Sequence, residues 1–244
     1  MRSDIDLSII LPCYNEAMFL ERNVESLQRV FDKTPYNYEI IIAEDGSTDG
    51  TDKIAERISR KNNRVLYLHH DKRLGRGRAV SNAIKISKGK VVGFVDSDLQ
   101  TPAEELPPLV REVYDGKSDF VIGSRIYEKY FFYFYRIIPS MIYVYIIKLL
   151  FRTKLNDTLA GCKFFNREKI LPVLEKVKDN HWFWDTEISL LAEWSGLKVT
   201  EIKVNFYTKE FIKKRVSKVN MFKDTVDYVK KIIEFKKRMK HLRE

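Results

Sequence analysis

The chain has 244 residues, enough for one large domain with a substantial core. Its net charge of +10 and its pI of about 9.4 favour polyanionic partners: nucleic acid, an anionic lipid surface or phosphorylated small molecules. The only cysteines, Cys13 and Cys162, lie far apart without metal-ligand spacing, which fits a reduced, cytosolic compartment.

Met1 to Asp6 is charged and leads straight into a strand-like run, so no secretory signal peptide is expected. Leu7 to Leu11 predicts a strand ended by Pro12, and Ala17 to Phe31 a helix with Leu20, Val24, Leu27 and Phe31 at helical spacing. Strands follow at Glu39 to Ala43, Arg64 to His69, Lys90 to Val95 and Asp119 to Ile122. Helices alternate with them at Asp49 to Lys61, Gly77 to Ser87 and the proline-flanked Thr101 to Tyr114. This βαβα order implies an α/β fold: a mostly parallel sheet with helices on both faces. The second half is less regular. Asp157 to Asn166 is left without an assigned element, helices are expected at Arg167 to Lys176 and Asp185 to Trp194, and Lys198 to Tyr207 alternates like a strand.

Two segments point to a surface. Tyr130 to Phe151 is apolar and aromatic, but Arg136, Pro139 and Lys148 interrupt it, and Ile137 to Ile147 falls well short of the roughly 20 residues a spanning helix needs. Its tyrosines and snorkelling cations suit a membrane interface, the other reading being a buried helix pair. Val219 to the C-terminus carries Phe222, Val226, Val229 and Ile233 on one stripe among many lysines and arginines. It reads as a basic amphipathic helix, either docked on the domain or lying on anionic lipid.

The chemistry gathers at the predicted strand ends. Asp96 and Asp98 follow the apolar run Val91 to Val95, and residues i and i+2 of a strand share a face. Two hard oxygen donors past a strand's carboxyl end suit Mg²⁺, which is held by one or two carboxylates plus phosphates. The loops Pro12-Cys13-Tyr14-Asn15-Glu16, Glu44-Asp45-Gly46-Ser47-Thr48-Asp49-Gly50-Thr51 and Gly75-Arg76-Gly77-Arg78-Ala79 fall on the same edge. Together they predict a nucleotide-and-metal site. No G-x-x-x-x-G-K-[ST] loop occurs, and no G-x-G-x-x-G follows the first strand, which argues against an ATPase and against hydride transfer. The histidines show no metal-binding pattern, and no nucleic-acid-binding signature appears, so nucleic acid is not an expected partner.

In this order and spacing, these four loops resemble the family-2 glycosyltransferases of the GT-A (Rossmann-like) fold. Gly123-Ser124-Arg125, Arg136 to Ser140, Asp157 to Arg167, Trp184-Asp185-Thr186-Glu187 and Arg215-Val216-Ser217-Lys218 narrow the resemblance to polyprenyl-phosphate sugar synthases of the dolichyl-phosphate mannose synthase type. The resemblance implies a glycosyltransferase domain over residues 1–218, with interfacial helices at 130–151, followed by a basic helix at 219–244. It implies that Pro12, Tyr14, Glu16 and Asp45 hold the nucleoside of a GDP- or UDP-sugar. Asp96, Asp98 and Gln100 would bind Mg²⁺ or Mn²⁺ and the donor pyrophosphate. Arg125, Arg215 and Lys218 would meet donor phosphates, and Arg136 and Ser140 the acceptor phosphate.

The expected reaction is an inverting transfer of a hexose, GDP-mannose or UDP-glucose being the favoured donors, to a polyprenyl phosphate at the cytoplasmic membrane face. Such an acceptor is already ionised near neutral pH, so a general base is less necessary than for a hydroxyl acceptor. Asp185 and Glu187 are the candidate bases; Asp185 reads equally as a helix N-cap. No transmembrane helix is seen after Lys218, which predicts a peripheral, monotopic enzyme or one with a membrane-anchored partner. The alternatives are a family-2 enzyme acting on a carbohydrate hydroxyl, a sugar nucleotidyltransferase, and a lipid-surface adaptor. The second needs a lysine-ended glycine loop where Pro12 to Asn15 stands, and the intact Asp96, Asp98 and Gln100 argue against the third.

Overall fold

The computed structural model describes residues 4–127, 134–207 and 221–241. In chain order it contains β1 (Leu7–Cys13), α1 (Leu20–Phe31), β2 (Tyr38–Asp45), α2 (Thr51–Lys61), β3 (Val65–His70), α3 (Arg76–Ile86) and β4 (Val91–Val95). A short 3₁₀ turn then leads into α4 (Leu106–Tyr114), β5 (Phe120–Tyr127), α5 (Phe134–Phe151), β6 (Cys162–Asn166) and α6 (Arg167–Leu174). The chain continues with α7 (Trp184–Trp194), β7 (Val199–Phe206) and α8 (Met221–His241).

The strands form one sheet in the order β3-β2-β1-β4-β6-β5-β7. β1 pairs in parallel with β2 and β4, β2 with β3, and β5 with β7. Among the described residues β6 alone runs antiparallel, against both β4 and β5. It lies inside the stretch 157–166 to which the sequence reading assigned no element.

Helices cover both faces, which is why β1 and β2 are buried along their whole length. Ile10 and Ile41 point into one core with Ala79, Val80, Ile170 and Ile188 from α3, α6 and α7. Ile9, Leu11, Ile40 and Ile42 point into the other, where Leu20, Val24, Leu27 and Phe31 of α1 meet them with α2 and α4. That stripe of α1 is the one expected from its spacing, and none of its members is more than 2% exposed. Both cysteines are buried free thiols.

α5 runs continuously through Pro139. α8 lies beside it, with Tyr228 against Tyr143 at 5.4 Å and Phe235 against Phe151 at 5.4 Å. Phe235 also stacks on Trp194 at 5.8 Å, and Arg238 pairs with buried Glu187. The basic helix is therefore docked on the core. Its outward residues Val229 and Ile233 remain half exposed, and Met141, Ile142, Tyr145 and Leu149 of α5 are exposed. Among the described residues no helix is long and apolar enough to cross a membrane.

At the opposite edge of the sheet from the strand-end loops, Tyr38 donates to Asp32 at 2.7 Å, with the Arg64 guanidinium 5.1 Å from its ring. Burial, then Asp32, push the Tyr38 phenol up to about 12. In the unfolded chain it ionises near pH 10, so between these values the unfolded state binds fewer protons and stability falls as pH rises. We expect Tyr38 to account for about 1.4 kcal/mol of stability lost by pH 11. Denaturant melts of the wild type and of Tyr38→Phe at pH 9 and pH 11 check this; parallel losses in both would refute it.

Candidate active site

Strand order reverses direction between β1 and β4, and a crevice opens beyond the carboxyl ends of the two strands, the usual ligand position in such sheets. A pocket there is lined by Pro12, Cys13, Tyr14, Glu16, Asp45, Arg73, Arg76, Ala79, Asp96, Ser97, Asp98 and Trp182. Six sequence-predicted residues, Pro12, Tyr14, Glu16, Asp45, Asp96 and Asp98, thus meet around one space. They come from the carboxyl ends of three different strands and the loops that follow them.

The second half of the Glu44 to Thr51 loop shapes this wall. Asn15, held at a positive φ of 55°, donates its N–H to Ser47 Oγ at 2.9 Å and accepts from the Thr48 N–H at 2.8 Å. The Glu16 N–H donates to Thr51 Oγ1 at 2.7 Å, and the Ala17 N–H to Asp49 at 3.1 Å. Burial opposes ionisation of Asp49, but hydrogen bonds from Thr51 and Ala17 outweigh it and hold the carboxyl below its usual range. Glu44 is fully buried and reaches His69 Nδ1 at 2.6 Å. Asp45 accepts the N–H groups of Leu74 and Gly75 at 2.7 and 3.0 Å, so it ties down the loop entering α3. Arg73 in that loop lies over the Tyr14 ring at 4.1 Å.

Charge concentrates beneath the pocket. Arg76, the first residue of α3, donates from Nη2 to Asp96 Oδ1 at 2.6 Å and from Nη1 to Asp185 Oδ2 at 2.5 Å. The other oxygen of Asp185 accepts from Lys163 Nζ at 2.8 Å, and the same ammonium donates to the Ala160 carbonyl at 2.6 Å. Burial alone would lower the Arg76 pKa; Asp185 and Asp96 outweigh it and raise it. Lys163 is wholly buried, and there burial wins over Asp185 and lowers its pKa. Two glycines permit the approach. A Cβ on Gly161 would fall 1.8 Å from Asp96 Oδ2, and one on Gly77 would fall 2.5 Å from Trp184.

The other predicted residues are dispersed. Gln100 follows Asp98 but does not line the pocket; its carbonyl accepts the Tyr207 N–H at 2.9 Å. Arg125, on β5, is committed to Asp157 through Nε and Nη2 at 2.9 and 2.8 Å, and it too is absent from the pocket wall. Glu187 accepts the N–H groups of Lys178 and Asp179 at 3.0 and 2.8 Å, a structural task that leaves it 1% exposed. Arg136 and Ser140 fall within α5, but their side chains lie outside the described residues, as Arg215 and Lys218 do entirely. Sequence reasoning missed Arg73, Trp182 and Lys163. Two of them had a visible signal: Trp182 in the aromatic run before Asp185, and Lys163 inside the Asp157 to Arg167 motif.

Asp96 and Asp98 fit a divalent cation held jointly with phosphates. They are hard oxygen donors on one wall, and Asp96 already faces a cationic group in Arg76. Among the described residues no larger group of histidine, cysteine, aspartate and glutamate gathers that could complete a shell from protein alone.

Comparisons with known proteins identify the family and the fold. Residues 8–172 match glycosyl transferase family 2. Glycosyltransferase AglD of Haloferax volcanii is 34% identical over 215 residues, covering 84% of this chain and 34% of its own length. A dolichyl-phosphate beta-glucosyltransferase of Trichomonas vaginalis is 26% identical over 247 residues, covering 96% of this chain and 73% of its own. The chain thus spans about a third of the first relative and about three quarters of the second. Among solved structures, glucosyl-3-phosphoglycerate synthase from Mycobacterium tuberculosis, crystallised with Mn²⁺ and UDP, shares the fold at a TM-score of 0.60 and 19% identity, over 86% of this chain and 74% of that one. A mostly parallel sheet with its strand-end loops gathered around Asp96 and Asp98, and a matching stretch that contains all of them, show that this chain belongs to glycosyl transferase family 2.

Proposed function

We propose that the protein transfers a hexose, with inversion, from a nucleoside diphosphate sugar to a polyprenyl phosphate at the cytoplasmic face of a membrane. The observation that carries the choice of acceptor is the state of Asp185. Both of its oxygens are engaged by cations, Arg76 and Lys163, so taking a proton from a substrate hydroxyl would mean giving up an ion pair. A phosphate needs no such base, because its second pKa is about 6. The relative that acts on dolichyl phosphate supports the same acceptor class.

In this reading Tyr14, Glu16 and Asp45 flank the nucleoside, and Arg73 and Arg76 supply guanidinium forks suited to phosphate oxygens. Departure of a nucleoside diphosphate develops negative charge, which fixed cations stabilise most strongly where water is excluded. A divalent cation held by Asp96 and Asp98, Mg²⁺ or Mn²⁺, supplies Lewis-acid stabilisation of that leaving group. Arg136, Ser140, Arg215 and Lys218 are proposed for the phosphates on the strength of their motifs.

The test is transfer from a panel of labelled GDP- and UDP-sugars to a short polyprenyl phosphate, with Mn²⁺ or Mg²⁺ and with EDTA. Metal-dependent label in the lipid from one donor is expected. Label on carbohydrate hydroxyls alone would replace the acceptor, and no transfer at all would overturn the reading.

Gly161→Ala is expected to displace the Asp96 carboxylate. Transfer should fall by about a hundredfold, since a misplacement near 1 Å costs that much. Stability should fall by about 1–3 kcal/mol, the usual overpacking cost. Steady-state rates beside thermal melts check both; full activity would mean that Asp96 can move without consequence.

Membrane contact is proposed for the exposed apolar residues of α5 and α8, flanked by exposed Lys230, Lys236 and Lys237. Each lysine near an anionic surface is worth about 1 kcal/mol. Changing all three to glutamate should weaken binding to vesicles containing an anionic lipid at least tenfold at low salt, and the difference should shrink at high salt. Unchanged sedimentation with the vesicles would remove α8 from the lipid surface.

A further inference from the structure

We propose that Arg76 is a built-in counter-cation that competes with a divalent cation for Asp96, so that metal uptake depends on a nucleoside diphosphate drawing the guanidinium away. The inference rests on the reading of the pocket as a nucleotide-and-metal site. It adds a role that the glycine-rich loop's motif does not specify.

One guanidinium bridges two carboxylates that are 89 positions apart in the chain, Asp96 from the β4 loop and Asp185 from α7. The side chain of Arg76 is only 13% exposed, and the guanidinium sits 5.0 Å from the Phe94 ring centre and 5.9 Å from that of Trp182. It is thus boxed in by aromatic rings and held at both ends, and it lines the same pocket as Asp98. The Asp96 side chain is 43% exposed toward the pocket, its Oδ1 accepts from Arg76, and its Oδ2 lies against Gly161, 1.8 Å from where a Cβ would be.

A second cation approaching Asp96 meets Arg76 as a like charge at close range, in a partly buried site where such repulsion is weakly screened. A diphosphate changes the balance. It offers several anionic oxygens to a planar fork that engages phosphate bidentately. Arg76 can exchange its Asp96 contact for phosphate while the Asp185 contact holds its position. Asp96 then becomes available to the metal ion. By linkage, whatever nucleotide does for metal affinity, metal does equally for nucleotide affinity.

The test is titration of Mn²⁺, followed by electron paramagnetic resonance, into the wild type, Arg76→Gln and Arg76→Lys, each alone and with UDP, GDP or UMP. In the absence of nucleotide, Arg76→Gln should bind Mn²⁺ about tenfold more tightly than the wild type, the scale of one charge-assisted hydrogen bond released. In the same variant the tightening produced by UDP or GDP should shrink, and the advantage of diphosphate over UMP should narrow. A merely structural arginine would not raise metal affinity when removed. Arg76→Lys keeps the charge but cannot bridge both carboxylates, so it should shift in the same direction; it is the variant to read if Arg76→Gln does not fold. Unchanged or weaker Mn²⁺ binding in a folded variant, with nucleotide coupling intact, overturns the counter-cation and leaves the transferase reading standing. Absence of Mn²⁺ binding from every protein, with UDP and GDP alike, overturns both.

Discussion

Asp98→Ala is expected to cut transfer by about a thousandfold or more, because it removes a carboxylate on which charge stabilisation of the leaving diphosphate depends. Asp98 follows β4 on the pocket wall and accepts the Gln100 N–H at 3.4 Å. Stability is expected to change by about 0.5–3 kcal/mol, the usual range for a single substitution. The residual activity should also lose its response to EDTA, since the cation no longer has its second protein ligand. Rates with Mn²⁺ and with EDTA, beside a thermal melt, check all three. A variant that keeps its rate and its metal dependence would show that the cation is held elsewhere. Asp96→Asn should behave differently, because it also frees one arm of Arg76 and disturbs Asp185 through it.

That contrast explains what was legible in the sequence and what was not. The first half could be read because each strand of β1 to β4 is a short apolar run and each pocket loop follows its strand directly. Local order therefore predicted three-dimensional order, and six of the predicted residues meet in one pocket. β6 could not be read the same way. Its sequence, CKFFN, breaks an apolar run with a lysine, and lysine is almost never wholly buried unless paired. Its partner Asp185 lies 22 residues away and could only be found in space. The same holds for Arg76 with Asp185, 109 residues apart, and for Arg125 with Asp157, 32 apart. Motif resemblance marks Arg125 for phosphate, whereas the structure shows its guanidinium shared with a carboxylate. Spacing identifies which residues are charged; it does not say which charges meet.

α8 makes a related point about amphipathic patterns. The stripe predicted for the helix included Val229 and Ile233, yet these remain half exposed, while Tyr228, Ile232 and Phe235 supply the contacts with the core. The helix has two apolar strips. One packs on α5 and α7; the other, beside the exposed lysines, stays exposed. A single hydrophobic periodicity cannot separate the two, because both strips repeat every three or four residues.

Asp185→Asn is expected to destabilise the protein by about 3–5 kcal/mol, the usual cost of leaving one partner of a buried ion pair alone. The stranded groups are Lys163, which has no exposed surface and whose pKa burial already lowers, and the Nη1 arm of Arg76. Replacing both residues, Asp185→Asn with Lys163→Met, should recover the part of that loss due to Lys163, since an apolar side chain of similar length avoids its desolvation penalty, while Arg76 keeps only its Asp96 partner. Melts of the two single variants and the double variant form the cycle that isolates the pair. The double variant then allows a question the single one confounds with unfolding: whether Asp185 takes a proton during transfer. If the nucleophile is a lipid phosphate, kcat/KM should fall as pH drops below about 6, because the acceptor gains a proton there and loses negative charge. That acidic limb belongs to the substrate, so it should persist at the same pH in the double variant, whatever happens to the absolute rate. If Asp185 were the base for a hydroxyl acceptor, the limb would vanish with it and the rate would drop by about a hundredfold or more. Unchanged position of the limb would therefore assign Asp185 to holding Arg76 and Lys163 in place, and its disappearance would return the hydroxyl acceptor to the front.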